Sequence, residues 1–202
     1  MLAAMGMIEQ APSEFQRCED VSFGGVLFAL PALLACGLLR HGKRFFSLPA
    51  GYYSLTHIFT MLAFMALCRI KSIENLCYTA PGEWGKLLGL DRCPEVKTLR
   101  EKLKRLTNGK PEEWAAQLSE DWMAEDSANV GVLYIDGHTR VYHGHQTKLP
   151  RRYVARQRLC LRATTDYWIH GLKGLPFFKV NCAIDPGMIK VIEEQIVPTL
   201  EI

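Results

Sequence analysis

The chain has 202 residues, 49% of them hydrophobic and 22% charged, a balance that suits a folded protein and excludes wholesale disorder. That length holds one large domain or two small ones. The formal charge of +3 matters less than its placement: Arg140, Lys148, Arg151, Arg152, Arg156, Arg158 and Arg162 stand between Gly137 and Thr165 with no acid among them, and the rest of the chain carries more acids than bases.

A basic tract on an otherwise acidic chain points to a polyanionic partner at that tract, with a solvated basic hairpin as the alternative. Seven cysteines (18, 36, 68, 77, 93, 160 and 182) form no CxxC pair. They read as buried free thiols of a reducing compartment, the cytoplasm, not as a disulfide framework or zinc site.

In chain order, residues 1–20 are a polar lead-in. The uncharged runs 21–39 and 48–68 are each long enough to span a bilayer. The first is interrupted by Gly24, Gly25, Pro31 and Gly37, and the second carries Ser54, Thr56, His57 and Thr60. Both therefore read as buried core helices, and no membrane is expected. The first helix covers 26–39, entered or kinked at Pro31, with His41 to Arg44 as its basic exit. Pro49 and Gly51 turn the chain into a long apolar helix over about 53–70, whose last turn ends in Arg69 and Lys71.

In PGEWGKLLGLDRCPEVKTLREKLKRLTNGK (81–110), Trp84, Leu87 and Leu88 predict a short amphipathic helix that Gly89 closes. Val96, Leu99, Leu103 and Leu106 predict a second helix, 95–106, with Lys97, Arg100, Lys102, Lys104 and Arg105 on its other sides. Two short helices around a tight turn, the second one basic, suit a helix-turn-helix DNA reader with Lys97, Arg100 and Lys104 as contacts. An ordinary helical hairpin with a solvated basic face fits the same residues.

Pro111, Glu112 and Glu113 open a further helix, 111–125. At 126–129 the pattern turns to period two, placing a boundary between a helical region, 1–128, and a second domain, 129–202. There 130–135 read as a strand, 139–143 as its hairpin partner, 158–163 as a third strand and 177–184 as another. Asp185-Pro186-Gly187 then turns into a helix over 188–197. The fold class is α+β.

In GVLYIDGHTRVY (131–142), Asp136 ends an apolar run and Gly137 follows it. Asp-Gly makes good hairpin turns, whereas a carboxylate at a strand end also suits metal-assisted phosphoryl transfer. His138, His143 and His145 could hold zinc if the hairpin closed, or stand exposed among arginines. Tyr153, Tyr167 and Trp168 read as packing residues.

The run LYIDGHTRVYHGHQTKLPRRYVARQRLCLRATTDYW (133–168) resembles the DDE-type transposases of bacterial insertion sequences. LPALLACGLL, LTHIFTMLAFMALCRIKSIENL and PGEWGKLLGLDRCPEVKTLREKLKRL resemble the N-terminal helical region of the same group. The resemblance covers about residues 24–200. It implies an RNase H-like core acting on the DNA of transposon ends, Mg²⁺ or Mn²⁺ as cofactor, and Asp136 as first catalytic acid and metal ligand. It also places the second and third acids beyond Ile202, so the expectation is a truncated, catalytically incomplete copy that still binds DNA. Asp185 reads as a helix cap, and Asp166, Glu193 and Glu194 are set aside as ligands. A non-catalytic interaction protein that self-associates is the rival expectation.

Overall fold

A computed structural model describes residues 21–125, 131–144, 147–154, 156–174, 176–182 and 187–200. The changeover at 126–129, His145 and Asp185 lie outside the described residues. Helices dominate the first half and antiparallel strands the second, so the protein is α+β. The described residues form two compact units that divide between Trp114 and Ala115.

In the first unit, a 3₁₀ segment (Gly24–Ala29) leads into α1 (Leu30–Ala35), with Pro31 in its first turn, where a missing N–H costs nothing. This stretch is not the buried helix that its apolar run suggests. None of its residues is buried, and Phe28 is 86% exposed. After α2 (Gly42–Phe45) comes α3 (Leu55–Leu67), the centre of the core: Ile58, Met61 and Phe64 are fully buried on it. Each such side chain contributes about 1.5–3 kcal/mol. Arg69, in the left-handed region at φ 57, turns the chain after α3, and the Ile70 N–H donates back to the Met65 carbonyl.

A 3₁₀ segment (Ile73–Tyr78), α4 (Pro81–Leu87) and α5 (Val96–Leu106) complete the core with Leu76, Trp84, Leu87 and Leu99. The expected pair of short helices is present, closed by Gly89 at φ +70. Gly85 is required by close packing: a Cβ there would lie 2.4 Å from the Arg92 nitrogen. α6 (Pro111–Glu125) begins with Trp114 against Phe46 and Phe59. Among the described residues no helix is long and apolar enough to cross a membrane.

The second unit is built on a four-stranded antiparallel sheet. β1 (Tyr134–Val141), β2 (Arg151–Val154) and β4 (Pro176–Cys182) each pair with the long β3 (Leu159–His170). β1 runs straight through Asp136-Gly137, so residues 139–143 are not a hairpin partner. Gly137 faces Tyr167 across the strands, and the ring lies 3.2 Å from where a Cβ would stand. The glycine admits a neighbouring ring; it does not make a turn. β3 is twice the predicted length and runs on through Thr164, Thr165 and Asp166.

One sheet face is apolar: Ile135, Tyr167, Ile169, Val180 and Cys182 pack with Val191 and Ile196. The last two come from α7 (Met188–Val191) and a π-helical turn (Ile192–Ile196), which α8 (Val197–Leu200) continues. The π turn precedes Pro198, whose ring and missing N–H disturb the ladder one turn earlier. Of the six described cysteines, Cys36, Cys77 and Cys160 are exposed and only Cys93 and Cys182 are buried, against the expectation that most are buried.

The start of α3 carries a pH dependence. The His57 N–H donates to Ser54 Oγ (3.4 Å), and the Ser54 N–H donates to His57 Nδ1 (3.1 Å), a capping box with histidine in the usual Glu/Gln place. Partial burial holds the imidazole below its ordinary value. The unfolded chain therefore takes up the proton first, at about pH 6.5. The stability that neutral His57 contributes is intact above that pH and is lost as pH falls from there through the folded value. Denaturant titrations between pH 8 and 5 should show His57→Gln, which keeps an acceptor, losing less stability than wild type by about 0.5–1 kcal/mol, the size of one cap. Parallel pH profiles would contradict this.

Candidate nucleic-acid interface

Residues directly opposite in an antiparallel pair share a face. Asp136 lies opposite Trp168, His138 opposite Asp166, and Arg140 opposite Thr164; Arg151 faces Arg162 on the other pairing. Lys179 and Asn181 of β4 lie opposite Trp168 and Asp166. Asp136, His138, Arg140, Arg151, Arg162, Asp166, Trp168 and Lys179 thus stand on one face, away from the apolar core.

The sequence-predicted residues are distributed unevenly around this face. Asp136 is exposed on β1. Arg140, Arg151 and Arg162 share its face. Arg152 does not: it lies opposite Leu161 on the core side, and its Nη1 donates to Thr165 Oγ1 (2.5 Å). Lys148 is exposed ahead of β2, and Arg156 and Arg158 are exposed in the β2–β3 turn, Arg158 at φ 53. The first unit's Lys97 and Lys104 are exposed on α5, but Arg100 is held at 2.6 Å by Glu74 of the same unit, which lowers the Glu74 carboxyl's pKa. Lys102 donates to the Tyr53 carbonyl (3.0 Å).

The residue that sequence reasoning set aside is Asp166. It has no exposure to water at all. Arg140 Nη2 stands 3.1 Å from Oδ2 and Lys179 Nζ 3.7 Å from Oδ1, while Asn181 Nδ2 donates to Oδ1 at 2.5 Å. Oδ2 has the Arg140 charge close by but no aligned hydrogen bond. The carboxylate draws cations from both neighbouring strands onto this face. Lys179 also sits 5.6 Å from the Trp168 ring centroid. The only sequence signal was that Asp166 falls in a run of strand-forming residues, where an acid needs a reason.

A pair of divalent cations needs several hard oxygen ligands converging on it. Asp136 offers one. Asp166 lies diagonal to it, but its charge is already met by Arg140 and Lys179. Among the described residues no group of three or more His, Cys, Asp or Glu side chains gathers to hold a metal. The described residues do not fit a metal pair. The zinc alternative loses its premise, because the hairpin meant to bring His138 against His143 is absent. Tyr167 is core, as expected; Tyr153 is 60% exposed and is not.

The asymmetry at Asp166 is testable. Arg140→Ala strands a buried carboxylate and should destabilise the protein by about 2 kcal/mol or more. Asp166→Asn leaves two half-exposed cations that water can solvate, and should cost about 1 kcal/mol. Chemical denaturation of Arg140→Ala/Asp166→Asn should then show less loss than the singles summed; strict additivity would rule out the coupling.

A family model described as "Transposase protein" matches residues 1–201. No curated protein and no solved structure matches the chain.

Proposed function

The chain belongs to this transposase family, with a function in transposition, and from that premise we propose that it binds DNA through the Asp136 face of the sheet. The observation that carries the reading is Arg140, Arg151 and Arg162 on one face, with Lys148, Arg156 and Arg158 exposed beside it. Such cations position a duplex by its phosphates without reading sequence. Lys97 and Lys104 of α5 add contacts of the helix-turn-helix kind.

We read the sheet as RNase H-like and the chemistry as DDE-type. Three antiparallel strands in the order β1–β3–β4, then a helix, with an acid on β1, support this reading. Asp136 is then the first acid of a site whose implied Mg²⁺ or Mn²⁺ the described residues do not hold by themselves. Because the Asp136 face supplies one uncommitted carboxylate among the described residues, we assign them to binding and not to cleavage on their own. A rival role in self-association draws on the exposed Leu27, Phe28 and Leu34 ahead of and within α1. A monomeric peak at every concentration in size-exclusion chromatography would argue against that role.

Each phosphate contact makes log K fall by roughly 0.9 per log unit of salt. Titrating a labelled duplex at several salt concentrations should give a steep slope for the wild type. For Arg151→Ala/Arg162→Ala the slope should be shallower by up to about 1.8. Binding indifferent to salt, or absent, would refute the proposal.

A further inference from the structure

A second basic surface lies in the first unit, lined by residues not assigned above. Lys43, Arg44, Arg105 and Lys110 line a cleft of about 640 Å³ between α2 and the end of α5. Two further clefts, of about 400 and 300 Å³, adjoin it, and Lys43 lines all three. No carboxylate lines any of them among the described residues. Lys110 does have a neighbour outside the lining, Glu113 at 2.7 Å.

The floor is fixed by the backbone. The Lys110 N–H donates to the Phe45 carbonyl (3.2 Å), and Gly109 packs so closely that a Cβ would lie 2.7 Å from that oxygen. Phe46, behind it, is locked edge-on against Phe59 and Trp114. Apolar walls under a row of like charges focus the field outward.

We infer that this trough is a phosphate-backbone site for a DNA strand, separate from the sheet face. All four cations are exposed and thus hydrated, which suits a row of backbone phosphates better than one tightly clamped anion. The three clefts joined through Lys43 extend past what a single phosphate would fill. The inference rests on the DNA-binding reading above and adds a second contact surface to it.

The test uses the full chain and a labelled duplex, comparing wild type with Lys43→Gln/Arg105→Gln. The expected result is a salt slope shallower by about 0.9 for each lost contact. In parallel, lysine acetylation is measured on wild type with and without duplex, so that a folding defect in the variant cannot decide the outcome. Lys43 and Lys110 should be protected by the duplex and the exposed Lys71 should not. Duplex binding with unchanged slope and no protection of Lys43 or Lys110 would overturn this site and leave the sheet-face reading intact. No duplex binding by wild type would overturn both. Equal protection by inorganic phosphate at matched ionic strength would overturn the assignment to a strand.

Discussion

The second unit depends on a carboxylate that water does not reach. Every strand pairing described there runs through β3, and in its middle Asp166 meets Arg140 from one neighbouring strand and Lys179 and Asn181 from another. A buried charge is tolerated only when paired, and stranding it costs more than the pair contributes. The constraint therefore acts on position more than on stability. It ties the polar side chains of three strands to one register, because a one-residue slip would send Asp166 into the apolar face. With the register set, Arg151 and Arg162 fall on the same side as Arg140.

The first unit shows that basic residues do not all serve one purpose. On α5, Arg100 and Lys102 are spent inside the unit, on Glu74 and on the Tyr53 carbonyl, while Lys97, Lys104 and Arg105 are exposed. The same split occurs in the sheet, where Arg152 turns to the core side and its neighbour Arg151 does not. A basic tract in a sequence overstates the charge a ligand could meet. Membership of a transposase family supports the partner class we propose for these surfaces, and the proposed DNA contacts are cations that remain exposed, Arg140 among them although it also meets Asp166.

Much of the helical half was legible because its signals are local. Pro111 at a first turn, Gly89 after α4 and the spacing of Val96, Leu99, Leu103 and Leu106 each mark an element by itself. The exposure of 24–35 was not legible, since an apolar run does not say what covers it. In the sheet the misreadings have one cause: the deciding neighbour is distant in sequence. Gly137 is a glycine because of Tyr167, thirty residues on, yet Asp-Gly alone suits a turn equally well. Asp166 was set aside as a ligand and its structural part went unseen, because Arg140 and Lys179 lie on other strands. Asp136, legible from the outset, does stand exposed on a strand, but in its interior and without converging acids among the described residues.

The most direct test of the central claim is to map where DNA touches the full chain. A duplex carrying photoreactive phosphates would be cross-linked to it and the adducts located by peptide mass spectrometry. The account predicts adducts on β1, β2 and the first half of β3, at the peptides that hold Arg140, Arg151 and Arg162. Cross-links that avoid all three strands would contradict it.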